Sequence, residues 1–321
     1  MPTVIATISL KGGVGKTTLT GGLADFLAGV FGKKVLLVDL DAQTNLTTMM
    51  IGQEHWLTCN ARRHTVATLF TDLLDGTESF DLGGSVQRDV STVAGLTGID
   101  LLPSSLDLIE LAEELSAHRV AADDHLAAVE VLTNALAPIA GQYDYILVDC
   151  PPNVGPFSLN GLAMAAAYLI PTIPDVLSTY AIPHIQRQVA DFGTELGREI
   201  VELGVVITKY RAASTLHQDT VRRLRRDTSI QNVLPTYLHE GNAIGAAADF
   251  ATWPSLHAKY GYHGHYEQFR DLTRAVMVEA DAKLARAEPA RAELTRAELS
   301  GAVPSSRGPF DRPTPNRSSG V

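Results

Sequence analysis

An eight-residue segment near the start of the chain constrains the fold more than any other feature. Residues 11–18 read K-G-G-V-G-K-T-T, directly after the β-branched run at residues 4–8 and ahead of a helical stretch that opens at Lys16. Glycines allow successive backbone N–H groups to converge on phosphate oxygens at a helix N-terminus. Lys16 can then contact the β- and γ-phosphates, and the Thr17 hydroxyl suits Mg²⁺. The order strand, Gly-rich loop and helix therefore predicts a site for a nucleotide and Mg²⁺, and a Gly-rich turn without a ligand is the alternative.

The segment differs from the common pattern G-x-x-x-x-G-K-[ST], because Leu10 stands at the first glycine and a second lysine, Lys11, opens the loop. This form resembles the deviant Walker A ATPases of the ParA/MinD family, most closely the short, Soj-like partition ATPases. The resemblance implies that ATP closes a homodimer in which each Lys11 contacts the phosphates bound by the other subunit. It implies nucleotide contacts from Lys11, Gly12, Gly13, Val14, Gly15, Lys16, Thr17 and Thr18, with Lys11, Lys16 and Asp41 as catalytic residues.

Two apolar runs later in the chain end in an acidic residue, the first in Asp39 and the second in Asp149. Such runs are typical of buried parallel strands, whose carboxyl ends open into a ligand crevice. By the family resemblance, Thr17, Asp39 and Asp149 lie around Mg²⁺, and Asp41 positions the attacking water. The alternative is that these acids only cap strand ends.

Alternation of apolar runs with helical periodicity predicts an α/β fold, a doubly wound, mostly parallel sheet flanked by helices. Strands are expected at residues 4–9, 34–39, 99–102, 168–173 and 203–208, with a further strand ending at Asp149. Helices are expected at 16–31, from 45 onward, and at 65–74, 124–139, 159–167, 182–196 and from about 216. Residues 52–98 otherwise read as a variable insertion.

The composition fits a soluble enzyme, with 321 residues, 45% hydrophobic content and a mean hydropathy of +0.05. No apolar run approaches the roughly 20 residues of a membrane span, and no charged segment precedes an apolar stretch at the start of the chain. We therefore expect a cytoplasmic protein without membrane attachment. A DNA-bound population would lie on the nucleoid.

The chain has two cysteines, Cys59 and Cys150, which are too few for a disulfide framework. Cys150 directly follows Asp149, and the iron–sulfur reductases related to this family carry cysteines that share a cluster between subunits. Cys59 lies in W-L-T-C-N-A-R-R, which lacks a Gly-rich setting. A buried, unreactive thiol is the preferred interpretation of Cys150.

One segment is locally basic although the net charge is −10. A helix from about residue 216 would place Arg222 and Arg226 one turn apart with Arg223 beside them, where they could contact phosphates of nonspecific DNA. A solvated helix face fits equally well. Arg211 precedes this helix and completes the candidate DNA contacts, although relatives carry further arginines where this chain has Ala212 and Ala213.

Lys209 and Tyr210 follow an apolar run and resemble the position at which relatives place adenine-contacting residues. A strand end without a ligand is the alternative interpretation, since this Thr-Lys-Tyr sequence is common in loops.

The periodic pattern predicts one ATPase domain over residues 1–280, followed by a charged helical extension and a tail over residues 281–321. Residues 301–321 are rich in Pro, Ser, Gly and Arg and are expected to be disordered. The helical part lacks a bulky apolar face, which argues against a membrane anchor. The phosphate loop begins within about ten residues of the start, so the larger, operator-binding ParA type is not expected.

Three functions remain open from the sequence. The first is a partition ATPase that binds DNA as an ATP dimer and is stimulated by a ParB-like partner. The second is a MinD-like or cargo-positioning ATPase that makes no DNA contact, and the third is an iron–sulfur reductase. ATP-dependent DNA retention would separate the first two, and iron in the purified protein would identify the third.

Overall fold

The computed structural model describes residues 1–121, 126–230, 232–261 and 264–299, and six strands lie in this part of the chain. The strands are β1 (Thr3–Thr7), β2 (Val35–Asp39), β3 (Ile99–Leu102), β4 (Tyr145–Asp149), β5 (Ala167–Thr172) and β6 (Val201–Ile207). The first six helices are α1 (Lys16–Gly29), α2 (Asn45–Ala61), α3 (Val66–Asp75), α4 (Leu82–Ser85), α5 (Leu108–Ala121) and α6 (Val131–Ala140). The others are α7 (Pro156–Met164), α8 (Val176–Glu195), α9 (Thr215–Arg226), α10 (Asn242–Ala247), α11 (Leu256–Tyr260) and α12 (His265–Leu299).

The strands form one sheet in the order β3-β2-β4-β1-β5-β6, and every neighbouring pair is parallel. Helices cover both faces, as the central strands require, because β2, β4 and β5 are buried along their whole length. This confirms the expected doubly wound α/β fold. The carboxyl ends of β1, β2 and β4 meet at one edge of the sheet, where ligands bind in folds of this class.

Two apolar clusters fill the space on the two faces of the sheet. Helices α3, α5, α6, α7, α8 and α9 contribute to one cluster, which contains Phe70, Phe157 and Ile182. Helices α1, α2, α11 and α12 contribute to the other, which contains Phe26, Trp56 and Phe269. The basic helix α9 and the C-terminal helix α12 therefore lie on opposite faces.

Helix α1 packs closely against α2 and α12 because two of its residues have no side chain. A Cβ on Gly21 would lie 2.0 Å from Met49 Cε, and a Cβ on Gly22 would lie 2.2 Å from the Phe269 ring. Since α1 follows the phosphate loop directly, this packing fixes the helix N-terminus at the sheet edge.

Helix α8 is longer than the expected span of 182–196. It begins at Val176, six residues earlier, with Asp175 as its N-cap, and it ends at Glu195. Pro183 lies inside the helix, although proline is best tolerated in the first turn. The difference matters since it is the missed first turn that approaches Lys11.

The expected helix at 124–139 is wrong in its start, because residues 126–130 form turns and α6 begins at Val131. Residues 124 and 125 lie outside the described residues. Helix α5 was not expected at all, since its sequence has little apolar periodicity. Other boundaries differ by up to about three residues, as α7 illustrates by opening with Pro156.

Residues 52–98 are packed into the fold. Helix α2 continues through a kink at Gly52, whose φ is 73°, as far as Ala61. Beyond α3, Gln87 forms an antiparallel bridge with Leu101 of β3, and Val93 forms a parallel bridge with Trp253. The region therefore links the β3 edge to the C-terminal part of the chain.

Helix α12 runs without interruption across residue 280, and Lys283 donates to the backbone carbonyls of Glu202 at 2.8 Å and Leu203 at 3.1 Å. The expected disorder of residues 301–321 lies outside the described residues. Among the described helices, none is both long and apolar enough to cross a membrane.

Candidate functional site

Strand register brings the acidic residues together. Asp39 of β2 and Asp149 of β4 are direct partners in the parallel pairing, and Thr7 of β1 is the partner of Asp149 on its other side. Because all three residues end their strands, they lie at one edge of the sheet. The phosphate loop leaves β1 at the same edge.

The phosphate loop has the backbone that its glycines allow. Gly13 has φ 74° and Gly15 has φ 86°, values that side-chain-bearing residues rarely adopt. Val14 between them is buried and fixes the loop to the core. Gly15 precedes the first residue of α1, so the free N–H groups of that helix open at the loop.

Lys16 is 6% exposed, and its Nζ donates to Ser9 Oγ at 3.4 Å. Thr17 Oγ1 donates to Asp149 Oδ2 at 2.7 Å. The structure thus brings together the lysine, the hydroxyl and the strand-end carboxylate that the sequence analysis assigned to one site. No carboxylate of the described residues lies within salt-bridge distance of Lys16, and a buried ammonium of this kind is suited to an anionic ligand.

Asp149 is fully buried, and its Oδ1 has no hydrogen-bond partner in the described part of the chain. Burial raises the pKa of Asp149 to about 7, while the Thr17 hydrogen bond and the charge of Lys16 oppose this shift. An orphaned carboxylate oxygen beside a threonine hydroxyl is an oxygen donor set of the kind that Mg²⁺ prefers. The residues present therefore fit a magnesium ion.

Asp39 is also fully buried, and it accepts hydrogen bonds from Asp41 N at 3.1 Å, Thr47 N at 2.9 Å and Thr47 Oγ1 at 2.8 Å. Burial and the nearby charge of Asp149 raise the pKa of Asp39 to about 8. Each carboxylate thus disfavours ionisation of the other, and a cation between them would offset the repulsion of the two negative charges.

Asp41 follows β2 on a tight turn, where its Oδ1 accepts from Gln43 N at 3.0 Å. Its backbone oxygen accepts from Ser104 Oγ at 2.8 Å. The charge of Asp41 also contributes to the raised pKa of Asp149. Asp41 therefore lies beside the phosphate-loop cluster with its turn held in place.

The Lys11 side chain contacts the start of α8. Its Nζ donates to Asp175 Oδ2 at 2.9 Å and to Ser178 Oγ at 3.1 Å, and 41% of its side chain is exposed. The contacts hold Lys11 at the start of α8. To contact the phosphates bound by another subunit, Lys11 would first have to leave Asp175 and Ser178.

The end of β6 reaches the phosphate loop from the other side. Thr208 Oγ1 donates to Val14 O at 2.6 Å. Lys209 has φ 48°, an uncommon left-handed conformation, and Tyr210 packs its ring against Tyr237 with centroids 5.0 Å apart. Lys209 and Tyr210 therefore directly follow Thr208, which contacts the loop.

The candidate DNA residues differ in how free their charges are. Arg211 is paired with Glu240, and Arg222 is paired with Asp219 at 2.6 Å. Arg223 donates to Thr220 Oγ1 at 3.2 Å, and Arg226 ends α9. The Arg225 guanidinium lies 5.3 Å from the centre of the Tyr237 ring.

The two cysteines are buried in different core clusters, Cys150 on one face of the sheet and Cys59 on the other. Burial raises the pKa of both thiols. Within the ranges that the structure describes, no group of three or more His, Cys, Asp or Glu side chains is arranged to hold a metal ion.

Sequence reasoning missed several residues at this site, four of which contact the assigned side chains. Ser9, Thr47, Asp175 and Ser178 each make a side-chain hydrogen bond to one of the assigned residues. Ser9 could have been found from its place beside the loop. Asp175 is 164 positions from Lys11, and no spacing in the sequence indicates that contact.

The family model described as "AAA domain" matches residues 2–201, which is more than half of the chain. An uncharacterized protein of Mycobacterium tuberculosis (strain H37Rv) is 30% identical over 221 residues, covering 69% of this chain and 62% of that protein. The chain therefore spans about three fifths of the length of that relative. The chromosome-partitioning ATPase Soj of Thermus thermophilus is 29% identical over 273 residues, covering 85% of this chain and 94% of Soj.

Solved structures share the fold at lower identity. A putative plasmid partition protein of Borrelia burgdorferi bound to AMPPNP has a TM-score of 0.63 and 19% identity, covering 88% of this chain and 99% of that one. Cobyrinic acid a,c-diamide synthase of Mycobacterium smegmatis with ADP and magnesium has a TM-score of 0.65 and 23% identity, covering 86% and 94%. The AAA-domain match over residues 2–201 and the similarity to Soj establish that the chain belongs to the ParA/MinD family of deviant Walker A P-loop ATPases.

Proposed function

We propose that the chain is an ATP-dependent dimerisation switch of the ParA type that acts in plasmid or chromosome partition. The observation that carries this proposal is the joint placement of two lysines, one buried in the phosphate loop and one exposed at its mouth. Lys16 is 6% exposed, whereas 41% of the Lys11 side chain is accessible. The first suits a nucleotide bound by the same chain, and the second suits one bound by a partner.

ATP would be held by the loop N–H groups and Lys16, and Mg²⁺ by Thr17 and Asp149, with Asp39 behind them. When bound, Mg²⁺ neutralises charge on the β- and γ-phosphate oxygens. Asp41 lies close enough to Asp149 to raise its pKa, and from there its carboxylate would position the attacking water. The adenine would lie toward Lys209 and Tyr210, since Thr208 contacts the loop.

The surface around Lys11 supports a homodimer. Val176, Leu177 and Tyr180 on the first turns of α8 are exposed, Leu177 and Tyr180 by 75% and 77%. Large apolar side chains grouped on a surface mark a site for another protein. Because they follow Asp175 directly, closure over them would bring a second subunit to Lys11.

Light scattering on the purified protein tests the switch. We expect a monomer with ADP and a dimer with Mg²⁺ and a slowly hydrolysed ATP analogue. Lys11→Ala should bind the analogue with unchanged affinity but show slower turnover with ATP. A protein that stays monomeric with every nucleotide, or a Lys11→Ala variant with full turnover, would contradict the proposal.

For the cargo we propose nonspecific DNA, bound by the ATP dimer through Arg222, Arg223 and Arg226 with Arg211 at the edge. A ParB-like partner would stimulate hydrolysis and release the DNA, as in partition systems. The relative Soj, which carries the name of a chromosome-partitioning ATPase, supports this choice. The support from α9 is its run of basic residues on a helix with an apolar inner face.

DNA retention with ATP but not ADP tests the cargo, measured at several salt concentrations because phosphate contacts weaken as salt rises. The triple variant Arg222→Ala/Arg223→Ala/Arg226→Ala should lose retention. Arg62→Ala/Arg274→Ala/Arg286→Ala is the matched control, since it removes the same charge from the opposite face of the sheet. Equal DNA retention by both triple variants would mean that DNA binds to another surface of the protein.

Positioning of a protein cargo without DNA is the second candidate function. The observation that favours it is the pairing of Arg211 with Glu240 and of Arg222 with Asp219, which reduces the charge available to phosphates. No DNA retention by an ATP dimer of the wild type would select this function.

A further inference from the structure

A cavity of about 460 Å³ lies at the end of the sheet opposite the phosphate loop. Tyr168 near the start of β5 and Glu202 near the start of β6 line it, and they are partners in the parallel pairing. Gln186, Ala190 and Thr194 from the C-terminal half of α8 form another wall. Because the loop follows the carboxyl end of β1, the cavity is separate from the nucleotide site.

Glu202 is an unusual residue for the wall of such a cavity. It is 4% exposed, and its Oε2 accepts hydrogen bonds from Gln186 Nε2 at 2.8 Å and Tyr168 Oη at 3.2 Å. Its Oε1 is buried without a hydrogen-bond partner among the described residues. An unmet buried acceptor costs about 1–3 kcal/mol, so a donor from a ligand at Oε1 would stabilise this arrangement.

The cations near Glu202 are engaged with other groups. Lys283 Nζ lies 3.2 Å from Glu279 Oε2 and donates to the backbone carbonyls of Glu202 and Leu203. The Arg198 guanidinium donates to the backbone carbonyls of Leu162, Ala163 and Ala165. Burial nevertheless raises the pKa of Glu202, so the nearby charge of Lys283 does not fully compensate its charge.

The rest of the lining defines the kind of ligand. Glu199 is a second acid in the wall, and Arg198 is the basic residue of the lining. Ala190, Gly193, Gly197 and Ile200 present small or apolar surfaces. The volume lies in the range of about 300–1,000 Å³ that is typical of small-molecule sites. An anionic carboxylate with free acceptor capacity next to apolar walls suits an ammonium group on a short alkyl chain.

We propose that this cavity is a binding site for a small organic cation, an alkylammonium whose nitrogen is held by Oε1 of Glu202. The alkyl chain lies along Ala190 and Ile200, and Gln186 and Tyr168 hold the carboxylate in place. Oε2 already accepts two hydrogen bonds and Oε1 is buried, so the Glu202 side chain turns toward the cavity for Oε1 to accept from the ligand. This site is independent of ATP and of the proposed partition function.

Calorimetric titration of the full chain with n-butylamine and 1,4-diaminobutane tests the proposal, with n-butanol as the neutral probe. We expect saturable binding of the amines at millimolar concentration and none of the alcohol. Glu202→Gln keeps an oxygen for Gln186 and Tyr168 but removes the charge, and it should weaken amine binding by about tenfold or more. Asp191→Asn, an exposed change of the same charge on α8, should leave binding unchanged.

A second variant decides the outcome if Glu202→Gln does not fold. Ala190→Leu enters the cavity from an exposed helix position without altering charge, and it should abolish amine binding while ATP-analogue binding is retained. Absence of saturable amine binding by the wild type would overturn the proposal. Equal affinities of wild type and Glu202→Gln would also overturn it, since the amines would then be bound only by the general negative charge of the protein.

Discussion

Lys11 Nζ lies 2.9 Å from Asp175 Oδ2 of the same chain. The same carboxylate is the N-cap of α8, because its Oδ1 accepts from Ser178 N at 2.7 Å. Burial raises the pKa of Asp175, but the hydrogen bonds from the Ser178 backbone and Lys11 outweigh this effect and hold it below its ordinary value. Asp175 thus joins the start of α8 to the lysine that would act on a partner subunit.

Asp175→Asn separates these two roles, because asparagine is as good an N-cap as aspartate but carries no charge to hold Lys11. We expect ATP-dependent dimerisation at a lower protein concentration, since Lys11 no longer has to leave an ion pair. Each pair is partly exposed and worth less than about 1 kcal/mol, and a dimer breaks two of them, so the shift should be within about thirtyfold. Sedimentation velocity with an ATP analogue measures it.

Asp175→Ala is the control for that experiment, because it removes the cap together with the charge and should cost about 1 kcal/mol of stability. If Asp175→Asn dimerises only at a higher concentration than the wild type, the ion pair favours the dimer and does not restrain it.

Lys16 and Asp41 should separate binding from turnover. Lys16→Ala removes the buried ammonium from the loop, so we expect loss of ATP binding in equilibrium titration. Asp41→Ala leaves the loop, Thr17 and Asp149 in place, so ATP affinity should persist while the hydrolysis rate falls. Lys16→Ala with wild-type affinity would show that the loop does not bind the phosphates, and undiminished turnover in Asp41→Ala would remove that residue from the chemistry.

The ionised Asp149 carboxylate should destabilise the folded protein in the absence of nucleotide. Its pKa of about 7 lies above the ordinary value of 3.8, so its charge destabilises the folded state at higher pH. Asp149→Asn should therefore melt higher by about 2 °C or more above pH 7, if the gain reaches about 1 kcal/mol. The difference should shrink as the pH falls from 7 and vanish below the ordinary pKa of 3.8, where the wild-type carboxyl is protonated in both states. Calorimetric melting without nucleotide or Mg²⁺ measures the gain.

The same variant should lose magnesium-dependent ATP affinity, because the amide that replaces Oδ1 or Oδ2 is a poorer partner for a cation. A variant that melts below the wild type at pH 7.5 would mean that Asp149 stabilises the site through its charge.

The features that could be predicted from the sequence are those that depend on short segments of the chain. Buried runs that end in acids indicated strands, and parallel pairing then necessarily brings Asp39 and Asp149 to one edge. Helix α5 escaped because its polar and apolar residues are not segregated on its surface, and the start of α8 escaped because Pro183 lies inside it. The contact of Lys11 with Asp175 could not be predicted, because it depends on how β5 and α8 sit beside the loop and on no repeating pattern.

The buried pair of Asp25 and Lys259 should hold the C-terminal region on α1. Lys259 Nζ lies 2.8 Å from Asp25 Oδ2, both side chains are fully buried, and Tyr260 Oη donates to the same oxygen at 2.8 Å. Lys259→Met would leave the Asp25 charge buried without its partner, so we expect the free energy of unfolding to fall by about 3–5 kcal/mol.

The double variant Asp25→Asn/Lys259→Met should recover a large part of that loss, because neither charge remains. Urea unfolding of the two single variants and the double variant gives the coupling energy between Asp25 and Lys259. The exposed pair of Asp219 and Arg222 is the matched control, and its coupling energy should be below about 1 kcal/mol. Additive effects of the two buried changes would mean that the ion pair does not hold α11 on α1.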